Sequence, residues 1–171
     1  MLGLAVQPPP QARAGVALYP PIAARISSET SIFEELSQIW AVATLVHYTG
    51  EVLYDQLGGR VADSAHPLPE STHGSSSSSS GSSSEKNRAY FYFPDLVVPS
   101  PGRYCIRVSL MQMDYSSDAS PEGVVVVREY VDSLWIDVED RETATSRPSG
   151  RERAFLRVLK NDGQQVPSAP A

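Results

Sequence analysis

A single cysteine, Cys105, in 171 residues excludes an internal disulfide framework. It also fits a reducing compartment, where isolated thiols persist. No apolar run approaches the roughly 20 residues that a bilayer-spanning helix needs. The apolar positions 1–6 have no basic segment before them and meet Pro8, Pro9 and Pro10 at once, so a secretion signal is not expected. On these absences the chain is expected to be soluble and intracellular.

The groupings that carry chemistry are missing as well. His47, His66 and His73 show no short metal-ligand spacing and have no cysteine pair beside them, so no metal is expected. The serines belong to low complexity rather than to a Gly-x-Ser-x-Gly elbow that would expose a hydrolase nucleophile. Gly58-Gly59-Arg60 lacks both the length and the Lys-Ser/Thr ending of a phosphate loop. Asp137, Glu139 and Asp140 read as a strand exit rather than a calcium loop. A Cys105–His47 nucleophile pair would need a motif around the cysteine, and Cys105 sits in a plainly alternating run. Neither catalysis nor a cofactor nor a small-molecule substrate is expected.

What is present is a globular composition. Apolar residues make up 41% and charged residues 20%, enough for one domain burying roughly 70% of its unfolded surface. The net charge of −6 disfavours a whole-surface embrace of a polyanion. From Arg141 onward the balance reverses: Arg141, Arg147, Arg151, Arg153, Arg157 and Lys160 face only Glu142, Glu152 and Asp162. That segment reads as a solvated basic face, with a nucleic-acid patch as the alternative.

Patterning predicts an all-β domain. Short strands are expected over 2–6 and 22–26, joined by a connector over 15–19. The run 38–48 places Ile39, Ala41, Ala43 and Leu45 on one face and Trp40, Val42, Thr44 and Val46 on the other. This predicts a central strand buried on both sides, with a helix as the competing reading. Leu53 and Tyr54 belong to a following hairpin, and Gly58-Gly59 to a turn. Composition collapses to Ser, Gly and Pro over 67–88, which predicts a flexible insertion within one domain. Order resumes at Tyr90. In the run 103–113, Tyr104, Ile106, Val108 and Leu110 share an inner face, against Cys105, Arg107, Ser109 and Met111 on a wetter one. Asp114–Gly123 reads as a polar loop. Further strands are expected from Val124 and over 134–138, where Leu134, Ile136 and Val138 alternate with Trp135 and Asp137. Ser149 with Glu152 has the form of a capping box, which predicts a helix carrying Phe155, Val158 and Leu159 on one side and ended by Gly163. Positions 164–171 are expected to form a tail. Several strands and one terminal helix predict a β-sandwich.

Tyr90-Phe91-Tyr92-Phe93-Pro94-Asp95-Leu96, then Gly102-Arg103-Tyr104, and Arg107-Val108-Ser109-Leu110 resemble segments of the velvet family of fungal regulators. Val6-Gln7-Pro8, Ala12-Arg13-Ala14-Gly15, Pro20-Pro21-Ile22 and Leu57-Gly58-Gly59-Arg60-Val61 are similar to the family in the same order, as is the pattern of 131–163. The resemblance implies an immunoglobulin-like sandwich over 1–163, related to Rel-homology domains. It implies a non-enzymatic protein of the nucleus, shuttling with the cytoplasm. Such a protein controls sporulation and secondary metabolism by pairing with itself or with other velvet proteins, partly through direct DNA binding. DNA-binding members carry a basic loop before the Pro-Pro-Ile strand. Here that interval is Val16-Ala17-Leu18-Tyr19, without a positive charge. Loss of phosphate-neutralising cations weakens DNA affinity, so the leading expectation is action through a protein partner. The alternative is a sequence-specific DNA-binding factor using Arg13, Arg147, Arg151, Arg153 and Arg157. An unrelated immunoglobulin-like scaffold is the third reading, against which the lack of a cysteine pair counts.

Overall fold

The computed structural model describes residues 2–27, 38–68, 88–114, 123–143 and 146–167. The Ser-rich insertion, His73 and most of the loop after Asp114 lie outside these residues.

The strands are β1 (Leu2–Val6), β2 (Gln11–Arg13), β3 (Ile22–Ser27), β4 (Ile39–His47), β5 (Val52–Leu53) and β6 (Ala62–Ser64). They continue with β7 (His66–Pro67), β8 (Arg88–Phe93), β9 (Gly102–Asp114), β10 (Val124–Asp132) and β11 (Ile136–Glu139), before one helix, α1 (Gly150–Asn161). A four-stranded sheet has the order β1-β3-β8-β7. A seven-stranded sheet has the order β2-β11-β9-β4-β5, with β10 also on β9 and β6 also on β4. All pairings are antiparallel except β2 with β11.

Alternation along the strands builds the core between the sheets. Ile22, Ala24, Ile26, Phe91 and Phe93 project from the four-stranded sheet onto Ala41, Ala43, Leu45, Ile106, Val108 and Leu110 of the seven-stranded one. Burying side chains of this kind stabilises by about 1.5–3 kcal/mol each, so the inner faces dominate the energetics of folding. Three expectations are corrected. On β4 only the Ile39 face is fully covered; Trp40, Val42 and Thr44 are half-buried, although Val46 is buried. Cys105 is 4% exposed rather than on a wet surface, shielded among Val46 and the strands beside it. Leu134 is 68% exposed, because the last strand starts only at Ile136 and residues 133–135 form an irregular connection.

Tyr90 and Tyr92 project from the opposite face of the four-stranded sheet, so the whole run Ala89–Phe93 is buried. Their cover is α1, whose Leu156 and Leu159 form a second core with Val6, Ala23 and the two tyrosines. The helix begins as its sequence predicts. Ser149 Oγ accepts from the Glu152 amide at 3.2 Å, and Glu152 Oε1 accepts from the Ser149 amide at 2.9 Å. Glu152 Oε2 also accepts from the Gln7 amide at 2.7 Å, which fastens the helix start to the residue after β1. At the other end Asp162 accepts from the Tyr90 hydroxyl, and Gln165 O accepts from the Tyr92 hydroxyl at 2.9 Å.

Candidate functional site

Three of the segments singled out by family resemblance meet at one seam. Leu96–Val98 is stitched on both sides. Leu96 O accepts from the Leu18 amide at 2.8 Å and Val98 O from the Gly15 amide at 2.9 Å, while Gly58 and Val97 exchange amide bonds at 2.9 and 3.0 Å. Gly59 has φ +92°, and a Cβ there would stand 2.2 Å from the Asp95 carbonyl oxygen, so only glycine fits. Asp95 Oδ1 accepts from the Arg60 amide at 2.8 Å. Pro94 is half-buried, whereas Phe93 and Leu96 are within the core. Gly102, at φ +151°, lies under the ring of Tyr104, whose hydroxyl donates to Pro101 O at 3.1 Å. Phe93, Pro94, Asp95, Leu96, Gly102 and Tyr104 are therefore scaffold residues, and the short interval over 16–19 is one of the scaffold's seams. Of this motif set Asp95 and Arg103 are exposed, and Arg103 is the one whose side chain is not used in the seam.

The arginines raised as DNA contacts are carried by separate elements. Arg13 is on β2, 4.0 Å from Glu142. Arg147 precedes the helix, and Arg151, Arg153 and Arg157 are exposed on α1. Arg153 and Arg157 are spaced to share a helix face with Lys160. None of these helix cations has an ion-pair partner among the described residues.

Cys105 and His47 are not brought together. The register sets Cys105 opposite Val46 and His47 opposite Tyr104, which places the thiol and the imidazole on opposite faces of the sheet. His47 Nδ1 is 2.8 Å from Thr49 Oγ1. Burial pushes the Cys105 thiol above its ordinary pKa, the Asp132 carboxylate adds to this, and Arg107 opposes it. His66 is stacked on Tyr90 and lies 3.1 Å from Asp63, whose Oδ2 also accepts from the Tyr92 amide at 2.8 Å. This is a structural bracket between β6, β7 and β8. Among the described residues no group of three or more His, Cys, Asp or Glu side chains is placed to hold a metal ion. No helix of the described residues is long and apolar enough to cross a membrane.

The feature that sequence reasoning missed is the outer face of the seven-stranded sheet. Along β9 the residues Arg103, Cys105, Arg107, Ser109, Met111 and Met113 point away from the core. The register puts Val125, Val127, Tyr130 and Asp132 of β10 beside Met113, Met111, Ser109 and Arg107. On the other flank stand Trp40, Val42, Thr44 and Val46 of β4. Val125, Val127 and Tyr130 are 49%, 56% and 57% exposed. Trp135, beside Arg103, extends the apolar surface past the end of β10, and the backbone before it is fixed. Ser133 exchanges bonds with Ile106, Ser133 Oγ accepting from the Ile106 amide at 2.9 Å, and the Leu134 amide donates to Gln7 Oε1 at 3.0 Å. The signal available in the sequence was Val124-Val125-Val126-Val127 followed by Tyr130, an apolar run on a strand with a partner on one side only.

Two arginines lie over the aromatics of this face. Arg107 is 4.1 Å from the Tyr130 ring centroid and bonds Asp132 through Nε at 2.8 Å and Nη2 at 3.1 Å. Arg103 is 5.7 Å from the Trp135 ring centroid and 3.7 Å from Asp137. Exposed Trp, Tyr and Arg on a rigid frame are the residue types that dominate protein–protein interfaces. No protein-family model matches the chain, and no curated protein matches it.

Proposed function

We propose that this chain is a velvet-type, non-enzymatic regulator that acts in the nucleus by associating with another velvet-type domain. On this reading it contributes to the control of fungal sporulation and secondary metabolism, and its sandwich is of the immunoglobulin-like kind. One observation carries the association: the exposed apolar outer face of the seven-stranded sheet, with Val125, Val127, Tyr130 and Trp135 on a hydrogen-bonded frame. Contiguous exposed apolar patches on a folded domain mark interaction sites. The convergence of the Gly15, Gly58-Gly59 and Asp95-Leu96 segments at one seam supports the family reading, because the residues that carry the resemblance depend on one another.

A second reading has an observation of its own. Arg153, Arg157 and Lys160 stand exposed along α1 without carboxylate partners among the described residues, as a phosphate-contacting stripe would. Binding to duplex DNA carrying a velvet-responsive promoter sequence, against a scrambled duplex, distinguishes the two. The partner reading expects weak, salt-sensitive binding without sequence preference. A preference of about a hundredfold or more, lost in Arg153→Gln with Arg157→Gln, establishes the DNA reading instead.

A further inference from the structure

We infer that the outer face of the four-stranded sheet carries a site for a small phosphate monoester, held between Arg25 and Arg88. The site belongs to the other sheet of the sandwich from the association face and does not depend on the reading above.

The helix covers only part of that sheet. Leu156 and Leu159 of α1 pack on Ala23, Tyr90 and Tyr92. Alternation places Arg25 and Ser27 of β3 and Arg88 of β8 on the same outer face, towards the other end of the sheet. A recess of about 350 Å³ opens there, with Gly3, Arg25, Ser27, Leu68 and Arg88 in its lining. That volume falls within the roughly 300–1,000 Å³ of small-ligand sites. Its shape follows from the register. Ser27 stands opposite Arg88, so Arg25 is the diagonal neighbour of Arg88, at about 7–8 Å. On the other flank Gly3 of β1 stands opposite Arg25, and a Cβ at Gly3 would meet nothing within 4 Å. Glycine thus leaves open the space beside the Arg25 guanidinium. Leu68 borders the far side, its amide donating to Arg88 O at 3.0 Å.

Charge selects the ligand. Both arginines are exposed, and neither has an ion-pair partner among the described residues. The Glu129 carboxylate, which reaches this end of β1, is engaged by the Leu2 amide. Like charges on neighbouring strands repel, and an anion between them removes the repulsion. A guanidinium fork binds phosphate oxygens in pairs, so two forks suit a group with three free oxygens and close to two charges. A phosphate monoester has both. A carboxylate offers two oxygens and one charge, and a backbone phosphodiester likewise carries one charge. Leu68, the aliphatic stems of the arginines and the open space at Gly3 give an uncharged substituent of modest size somewhere to lie.

The test is titration of phenyl phosphate into the isotope-labelled full chain near neutral pH, followed by amide chemical shifts. Benzoate, inorganic phosphate and a scrambled DNA duplex are titrated in parallel. The expected result is a saturable change centred on the amides of Gly3, Arg25 and Leu68, with benzoate binding more weakly. Arg25→Gln and Arg88→Gln each weaken phenyl phosphate about tenfold, the loss of one charge-assisted pairing, with far-UV circular dichroism unchanged. Gly3→Val, which fills the open space, weakens phenyl phosphate more than inorganic phosphate. Shifts that never saturate, or saturable binding that both arginine substitutions leave intact, overturn the inference. Inorganic phosphate binding as tightly as the ester makes this a site for the ion alone and overturns the ester assignment. Displacement of phenyl phosphate by the duplex at equal phosphate concentration also contradicts it, since the arginines then serve a polymer backbone.

Discussion

Arg107 bridges two neighbours on the outer face of the seven-stranded sheet: its guanidinium lies 4.1 Å from the Tyr130 ring centroid while donating two bonds to Asp132. The planar fork satisfies a carboxylate edge-on and an aromatic ring face-on at once, which an ammonium cannot do. Arg107→Lys is therefore expected to lower unfolding free energy by about 1 kcal/mol, since the pair is partly solvated. Urea denaturation measures it; an unchanged midpoint would show that the ion pair and ring contact contribute nothing.

Cys105 is expected to be silent towards thiol reagents in the native protein. Its side chain is 4% exposed, and burial holds the thiol protonated above its ordinary range. A raised thiol pKa means the unfolded chain releases its proton first as pH rises. The contribution to stability is complete below the ordinary thiol pKa and declines above it. Modification should follow the unfolding curve in urea. Stoichiometric reaction without denaturant contradicts this packing.

Ile106→Ala should cost about 2–5 kcal/mol, because a fully buried branched side chain is replaced by a cavity between two packed sheets. A loss below about 1 kcal/mol would mean that the core closes around the gap.

The attachment of α1 depends on tyrosines that are buried rather than ionised. Burial, with the nearby Asp95 charge adding to it, pushes Tyr92 up to about 12, and burial together with the bond to Asp162 raises Tyr90 as well. Both folded values exceed the unfolded one, so stability is complete below about pH 10 and falls above it as the unfolded chain ionises. Tyr90→Phe, which leaves Asp162 and Gln164 without their shared hydroxyl, is expected to cost about 1–3 kcal/mol. It should also reduce the alkaline loss. Thermal melts between neutral pH and pH 11 read both effects, and an identical alkaline slope in Tyr90→Phe would contradict the attribution.

Much of the architecture was legible because alternation and capping are local codes. The inner faces of β4 and β9 and the Ser149–Glu152 cap all follow from spacing within one segment. The errors arose where exposure depends on a distant strand. Cys105 alternates like a surface residue, yet Val46 of β4 lies opposite it. Leu134 alternates like a core residue, yet it lies in the irregular connection before β11, with its amide bonded to Gln7. The apolar run of β10 was visible in the sequence, but the face it belongs to was not, because Trp40 of β4 and Met111 of β9 join Val127 and Tyr130 only through the β4–β9–β10 register.

The most direct test of the association reading is calorimetric titration of the full chain with a purified velvet-domain protein, in parallel with the Trp135→Ala and Tyr130→Ala chains. The account predicts saturable one-to-one binding that each substitution weakens about tenfold or more, as truncation of a central anchor does. No detectable heat and no co-elution at concentrations of tens of micromolar, or binding that both substitutions leave unchanged, would contradict it.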